Sequence, residues 1–137
     1  MRRIKAYLSH PIRGLKGANA TVEDMEMNNY KAIYLGNILR AAFPNLDLHI
    51  PAEMEDFVSK AYHLNVIDES TILKVDCDII SDCDLVIFYN HQYRYSNGMQ
   101  VEYNHARELG IGLAEVYEPS HTAVTSIETA ILKVLNK

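Results

Sequence analysis

What the 137-residue chain lacks narrows its class before any residue is singled out. No apolar run approaches the roughly 20 residues that a membrane-spanning helix needs. The N-terminal Met1-Arg2-Arg3-Ile4-Lys5 lacks the apolar core and cleavage site of a signal peptide. A cytoplasmic protein with no membrane partner is the expectation. Cysteine is scarce: Cys77 and Cys83 fall inside and just past one expected helix, on no shared face, and neither a disulfide nor a zinc motif follows. There is no basic excess either. Thirteen Lys and Arg against 18 Asp and Glu leave a net charge of −5, which argues against a nucleic-acid polymer as partner. Repeats, linkers and low-complexity stretches are missing too, so residues 1–137 read as one domain with its own core.

What is present alternates between strand and helix patterns. Ile4 to Ser9 reads as a first strand, with Ala6 and Leu8 toward a core and Tyr7 near its carboxyl end. A loop follows from His10 to Ala18, punctuated by Pro11, Gly14 and Gly17. Thr21 or Glu23 opens a long helix to about Ala42, which Pro44 and Asn45 stop. Leu46 to Ile50 forms a second strand, and Ala52 to about Asn65 suggests a short helix. A firmer helix over Asp68 to Asp82 turns Ile72, Val75, Ile79 and Ile80 inward. The third strand is Asp84 to Tyr89. A helix from Asn97 or Gly98 to Leu109 is stopped by Gly110. Gly112 to Tyr117 makes a fourth strand and Thr122 to Leu135 a last helix. Such alternation implies right-handed crossovers and a three-layer α/β/α sandwich around a parallel sheet of four to five strands, flavodoxin-like or Rossmann-like, with the first strand central.

In that architecture ligands bind beyond the carboxyl ends of the strands, where the loops after the first and third strands are neighbours. Tyr7, Ser9, His10 and Arg13 then meet Ser96, Asn97, Gly98 and Glu102. Ser96 to Gly98 offer a hydroxyl, an amide and free N–H groups at a helix start, which favour an anion, and Glu102 stands about one turn further in. The same residues also serve as an ordinary helix cap with a solvated first-turn carboxylate. The first sixteen residues hold Arg2, Arg3, Lys5, Arg13 and Lys16 and no acid, a local positive field that suits a small anion. The planar fork of Arg13 fits a phosphate better than Lys16 does. Asp76 supplies a second carboxylate if its helix ends at the same sheet edge, and paired carboxylates around a sugar are what glycosidic cleavage needs. His10, His91 and His105 match no common ligand spacing, so no metal and no cofactor is expected. Asp82 and Asp84 read as structural. For Tyr93 and Tyr95, packing within the loop competes with stacking on a base.

Three segments resemble the nucleoside 2-deoxyribosyltransferase superfamily, most closely its hydrolytic branch, the deoxynucleoside 5′-monophosphate N-glycosidases. They are Tyr7-Leu8-Ser9-His10-Pro11-Ile12-Arg13-Gly14, the pair Asp76 and Asp84 at a spacing of eight, and Ser96 to Glu102 with Ala106 and Gly110 behind it. The resemblance implies Glu102 as nucleophile, Asp76 as the carboxylate near sugar and leaving base, Tyr7 as an active-site hydroxyl, and Arg13 with Ser96 at a 5′-phosphate. Ser126 lies where that branch places a further phosphate-contacting serine, often across a subunit interface, which implies a homodimer or higher homo-oligomer. Asn104 stands where glycine is usual, and Gln100 and Val101 replace a frequent glycine and aromatic, which alters the pocket wall but keeps the carboxylate. The implied activity is hydrolysis of the N-glycosidic bond of a nucleoside 5′-monophosphate through a glycosyl-enzyme ester. Base exchange between deoxynucleosides, a nucleotide-binding sensor without turnover, and nicotinamide release from a dinucleotide are the alternatives.

Overall fold

The computed structural model describes residues 2–137. Four parallel strands, β1 (Ile4–Ser9), β2 (Leu46–His49), β3 (Leu85–Tyr89) and β4 (Gly112–Val116), lie in the order β2-β1-β3-β4. The sheet thus has four strands among the described residues, at the lower end of the expected number, with β1 beside β3 as the switch-point argument requires. Five helices join them: α1 (Val22–Ala42), α2 (Glu55–His63), α3 (Glu69–Ser81), α4 (Asn97–Glu108) and α5 (His121–Leu135). Short 3-10 turns at Gly14–Asn19 and Pro51–Met54 interrupt the loops. The single short helix expected over Ala52 to Asn65 is therefore a 3-10 turn leading into α2.

Local chemistry explains the boundaries. Thr21 and Asp24 form a reciprocal capping box at α1, and Asp68, Ser96 and Ser120 each accept a backbone N–H at the start of α3, α4 and α5. Gly110 follows α4 at φ +70, a left-handed stop that a side chain would strain.

The side-chain period of two splits the strands between two cores. Ile4, Ala6 and Leu8, with Leu85, Ile87 and Tyr89, face α1 and α5 and form the larger apolar cluster. Tyr7, Val86 and Phe88 face Ile80 of α3 and Met99 and Ala106 of α4 in the smaller one. All five residues of β3 are buried, as a central parallel strand covered on both faces must be. Val75 departs from expectation: it is exposed, because the inward stripe of α3 runs through Ile72, Asp76, Ile79 and Ile80. That stripe carries an aspartate into the protein. On α4 the buried positions are Met99, Glu102 and Ala106, so a glutamate occupies the centre of an apolar stripe. No helix among the described residues is long and apolar enough to cross a membrane.

Candidate active site

Two carboxylates on buried helix stripes meet two hydroxyls on one strand. Tyr7 and Ser9, two residues apart on β1, point to the face covered by α3 and α4. The Tyr7 hydroxyl donates to one oxygen of Glu102, and Ser9 Oγ donates to the other at 2.7 Å. Glu102 is 6% exposed and Tyr7 and Ser9 1% each, so the carboxylate is fixed at both oxygens inside the protein. Half-buried Asp76 stands close enough for its charge to act on both Glu102 and the Tyr7 phenol. His49, level with Tyr7 on β2, stacks on its ring at 5.5 Å.

Burial sets the electrostatics. Removal from water pushes Glu102 up to about 7; the hydroxyls of Tyr7 and Ser9 pull the other way, and the charge of Asp76 adds to the rise. Burial likewise raises Asp76 to about 6, against the pull of Tyr7. The Tyr7 phenol moves well above its ordinary value, first from burial and then from Glu102 and Asp76, and stays a hydrogen-bond donor. The result is a pair of carboxyl groups that share protons near neutrality, one held rigidly by two donors. Such a pair can attack a carbon centre with one member and pass a proton with the other.

The loops around it are built with equal care. His10 is 7% exposed, its Nδ1 lies 3.2 Å from the Pro11 carbonyl, and burial lowers it to about 4, so it is a neutral part of the loop's packing. Gly14 adopts φ +69, and any side chain there would collide with the Gln92 amide. Gln92 in turn accepts the Leu15 N–H at 2.8 Å, tying the loop after β1 to the loop after β3. Asn28 of α1 donates to the Ile12 carbonyl at 2.8 Å. Arg13 is exposed and pairs with Glu69 in the first turn of α3 at 3.2 Å. Ser96 caps α4 through the Met99 N–H, with Asn97 and Gly98 forming the first turn. The sequence therefore located Glu102, Tyr7, Ser9 and Asp76 as one group. It did not foresee Glu69 as the partner of Arg13, nor Gln92 and His49; none of these three belongs to a pattern visible in one dimension.

Ser126 lies elsewhere. It is exposed on α5 and lines a shallow depression with Ala114 and Glu115 of β4, and α5 packs on the opposite face of the sheet from α3 and α4. A second surface depression, bordered by Tyr62, Val66 and Thr71, does not include the carboxylates either. No three His, Cys, Asp or Glu residues gather to hold a metal ion among the described residues. Asp84, read as structural, accepts the Lys5 N–H at 3.0 Å and pairs with Arg2. Tyr95 stacks on Phe88 at 5.3 Å and donates to Glu115 at 2.7 Å, while Tyr93 stacks on Tyr117 at 5.0 Å.

No family model and no curated protein sequence matches the chain. In structure it is similar to a conserved protein from Enterococcus faecalis V583, solved by crystallography. The TM-score is 0.59 and the identity 19%, over 98% of this chain and 76% of that one. At this identity the likeness establishes the α/β fold.

Proposed function

We propose that the chain is an N-glycosidase that splits a nucleoside 5′-monophosphate into free base and sugar 5-phosphate. The observation that carries this reading is Glu102, buried at the carboxyl edge of the sheet with both oxygens held by Tyr7 and Ser9 and with Asp76 close by. The reacting form of the pair carries its shared proton on Asp76 and leaves Glu102 ionised. In the first step a Glu102 oxygen forms a bond to the anomeric carbon while the bond to the base nitrogen breaks, and the Asp76 carboxyl gives the departing base its proton. In the second step water attacks that carbon, its proton returns to Asp76, and the ester to Glu102 breaks. Tyr7 and Ser9 hold the carboxylate in line, which spares reorganisation as charge develops.

The 5′-phosphate would take the start of α4 at Ser96, Asn97 and Gly98, about one turn from Glu102, with Arg13 leaving Glu69 to reach it. Ser126 faces away from this site in its own chain, so in our reading it serves a second copy in a cytoplasmic homodimer. A second reading, base exchange between deoxynucleosides, draws on the ion pair that engages Arg13 already. The deciding assay is base release from ribo- and deoxyribonucleoside 5′-monophosphates and the matching nucleosides, with and without an acceptor base. Release from monophosphates alone supports the hydrolase. Exchange confined to nucleosides with an acceptor makes it a transferase. Binding without release in any arm leaves a sensor and removes the catalytic reading.

A further inference from the structure

Beside the carboxylate pair, on the same sheet face, lies a second constructed cluster that hydrolysis of a simple monophosphate leaves unused. Phe88 of β3 is in register with Ser9 on one side and with Glu115 of β4 on the other. Glu115 accepts the Tyr95 hydroxyl at 2.7 Å, with Tyr117 and Asn90 beside it. That bond fixes the orientation of the Tyr95 ring. The Tyr93 ring lies on that of Tyr117, with centroids 5.0 Å apart and planes 12° from parallel. Both rings are open to solvent, Tyr93 at 73% and Tyr117 at 44% exposure.

Tyr93 reaches this position with φ 58, a left-handed backbone that a bulky residue adopts at a cost. Independently, Asn90 is 5% exposed and its Oδ1 has no hydrogen-bond partner. A buried acceptor without a donor is uncommon and costs stability unless something supplies an N–H. The cluster thus combines an aromatic surface, a fixed carboxylate and an acceptor awaiting a donor. Tyr93 is three residues before Ser96, the cap of α4, so the surface begins where a 5′-phosphate at the start of α4 would end.

We infer that this cluster is a platform for a second planar ring, joined through phosphate to the nucleotide whose sugar lies over Glu102, so that the substrate class is a dinucleotide. This rests on the nucleotide reading above and narrows it. The second base stacks on the Tyr93 and Tyr117 rings once Tyr93 turns outward, and its exocyclic N–H meets Asn90 Oδ1. Bond making and breaking at the anomeric carbon are unchanged; the leaving base departs from the first nucleoside only.

The chain has no tryptophan, so Tyr117→Trp supplies a single fluorescent reporter. In a Glu102→Gln background, which prevents turnover, adenosine 5′-monophosphate and P1,P2-diadenosine diphosphate are titrated by calorimetry and by tryptophan emission. Stacking of one base on an aromatic platform predicts that the dinucleotide binds at least about fivefold tighter. It quenches the reporter, whereas the monophosphate leaves emission unchanged. With the native Tyr117 restored, Tyr93→Ala removes the preference without altering monophosphate affinity. Equal affinities, or a preference that survives Tyr93→Ala, overturn the platform while leaving the nucleotide reading intact. Absence of binding by either compound overturns both. Should Tyr93→Ala fold poorly, Asn90→Leu tests the same surface through the acceptor, and an undiminished preference in it counts against the platform equally.

Discussion

Glu102, hydrogen-bonded to Ser9 on one side of Phe88, and Glu115 on the other side both accept tyrosine hydroxyls, yet their acidities move in opposite directions. At Glu115 burial raises the pKa, but hydrogen bonds from Tyr117, Tyr95 and Asn90 outweigh it and the carboxyl is held below its usual range. At Glu102 burial wins over Tyr7 and Ser9 and the value rises to about 7. The difference is depth: Glu115 sits on an edge strand with its side open to water, and Glu102 lies on the buried stripe of α4. Hydrogen bonds alone therefore do not set the acidity of a carboxylate. Donors plus desolvation make Glu102 a group that changes charge near neutrality, whereas donors at the rim make Glu115 a permanent anion that organises its neighbours.

The contrast is broken most severely at Glu102. Glu102→Gln is expected to lower base release by at least about 10³-fold, as loss of a nucleophile does; near-normal turnover in a quench-flow or steady-state assay would sink the mechanism. The same substitution should stabilise the fold at high pH. A carboxyl raised in the folded state binds more protons there than when unfolded, so its contribution is favourable at low pH and is lost as pH rises from 4.5 toward 7. Above pH 7 the variant should gain roughly 3 kcal/mol, and the gain should vanish toward pH 4.5, as urea titrations at several pH values would record. No gain at pH 8 would mean that the buried charge costs nothing.

Smaller changes sharpen the comparison. Tyr7→Phe removes a donor that lowers Glu102, so the rising limb of kcat/KM against pH should move to higher pH, with a loss of about tenfold or more in rate. An unmoved limb would deny Tyr7 this role. Glu115→Gln should cost about 1 kcal/mol of stability through the Tyr95 bond and leave the pH limb of Glu102 in place. Arg13→Ala should change stability by no more than about 0.5 kcal/mol, because its partner Glu69 is 70% exposed, while weakening selection for the phosphate. A larger destabilisation would assign Arg13 to the fold.

Much of this was legible in one dimension. The helix starts are written in Thr21, Asp68, Ser96 and Ser120, whose side chains compete for the first N–H groups, and the strands in their alternation. Glu102 with Met99 and Ala106 already marks a carboxylate on an apolar stripe at a spacing of three and four, and Asp76 with Ile72, Ile79 and Ile80 does the same. Val75 misled because an isolated β-branched residue next to that stripe looks inward until the helix's rotation is known. The Glu115 cluster was hidden for another reason. Asn90, Tyr95, Glu115 and Tyr117 come from two strand ends and a loop, and only the parallel pairing of β3 with β4 brings them together. Likewise the partner of Arg13 depends on where α3 begins in space, a matter of tertiary packing.

The tie between Gln92 and the Gly14–Leu15 turn limits how this protein can diverge. Because one amide side chain fills the space a Cβ would need at residue 14 and also holds the Leu15 N–H, the two loops share a single geometry across the switch point. A residue inserted or deleted in either loop would break this tie unless the other loop moved with it. Relatives that keep the pair of carboxylates but accept other ligands should differ in both loops at once, or in the Tyr93 segment beyond the tie, where length is free to vary.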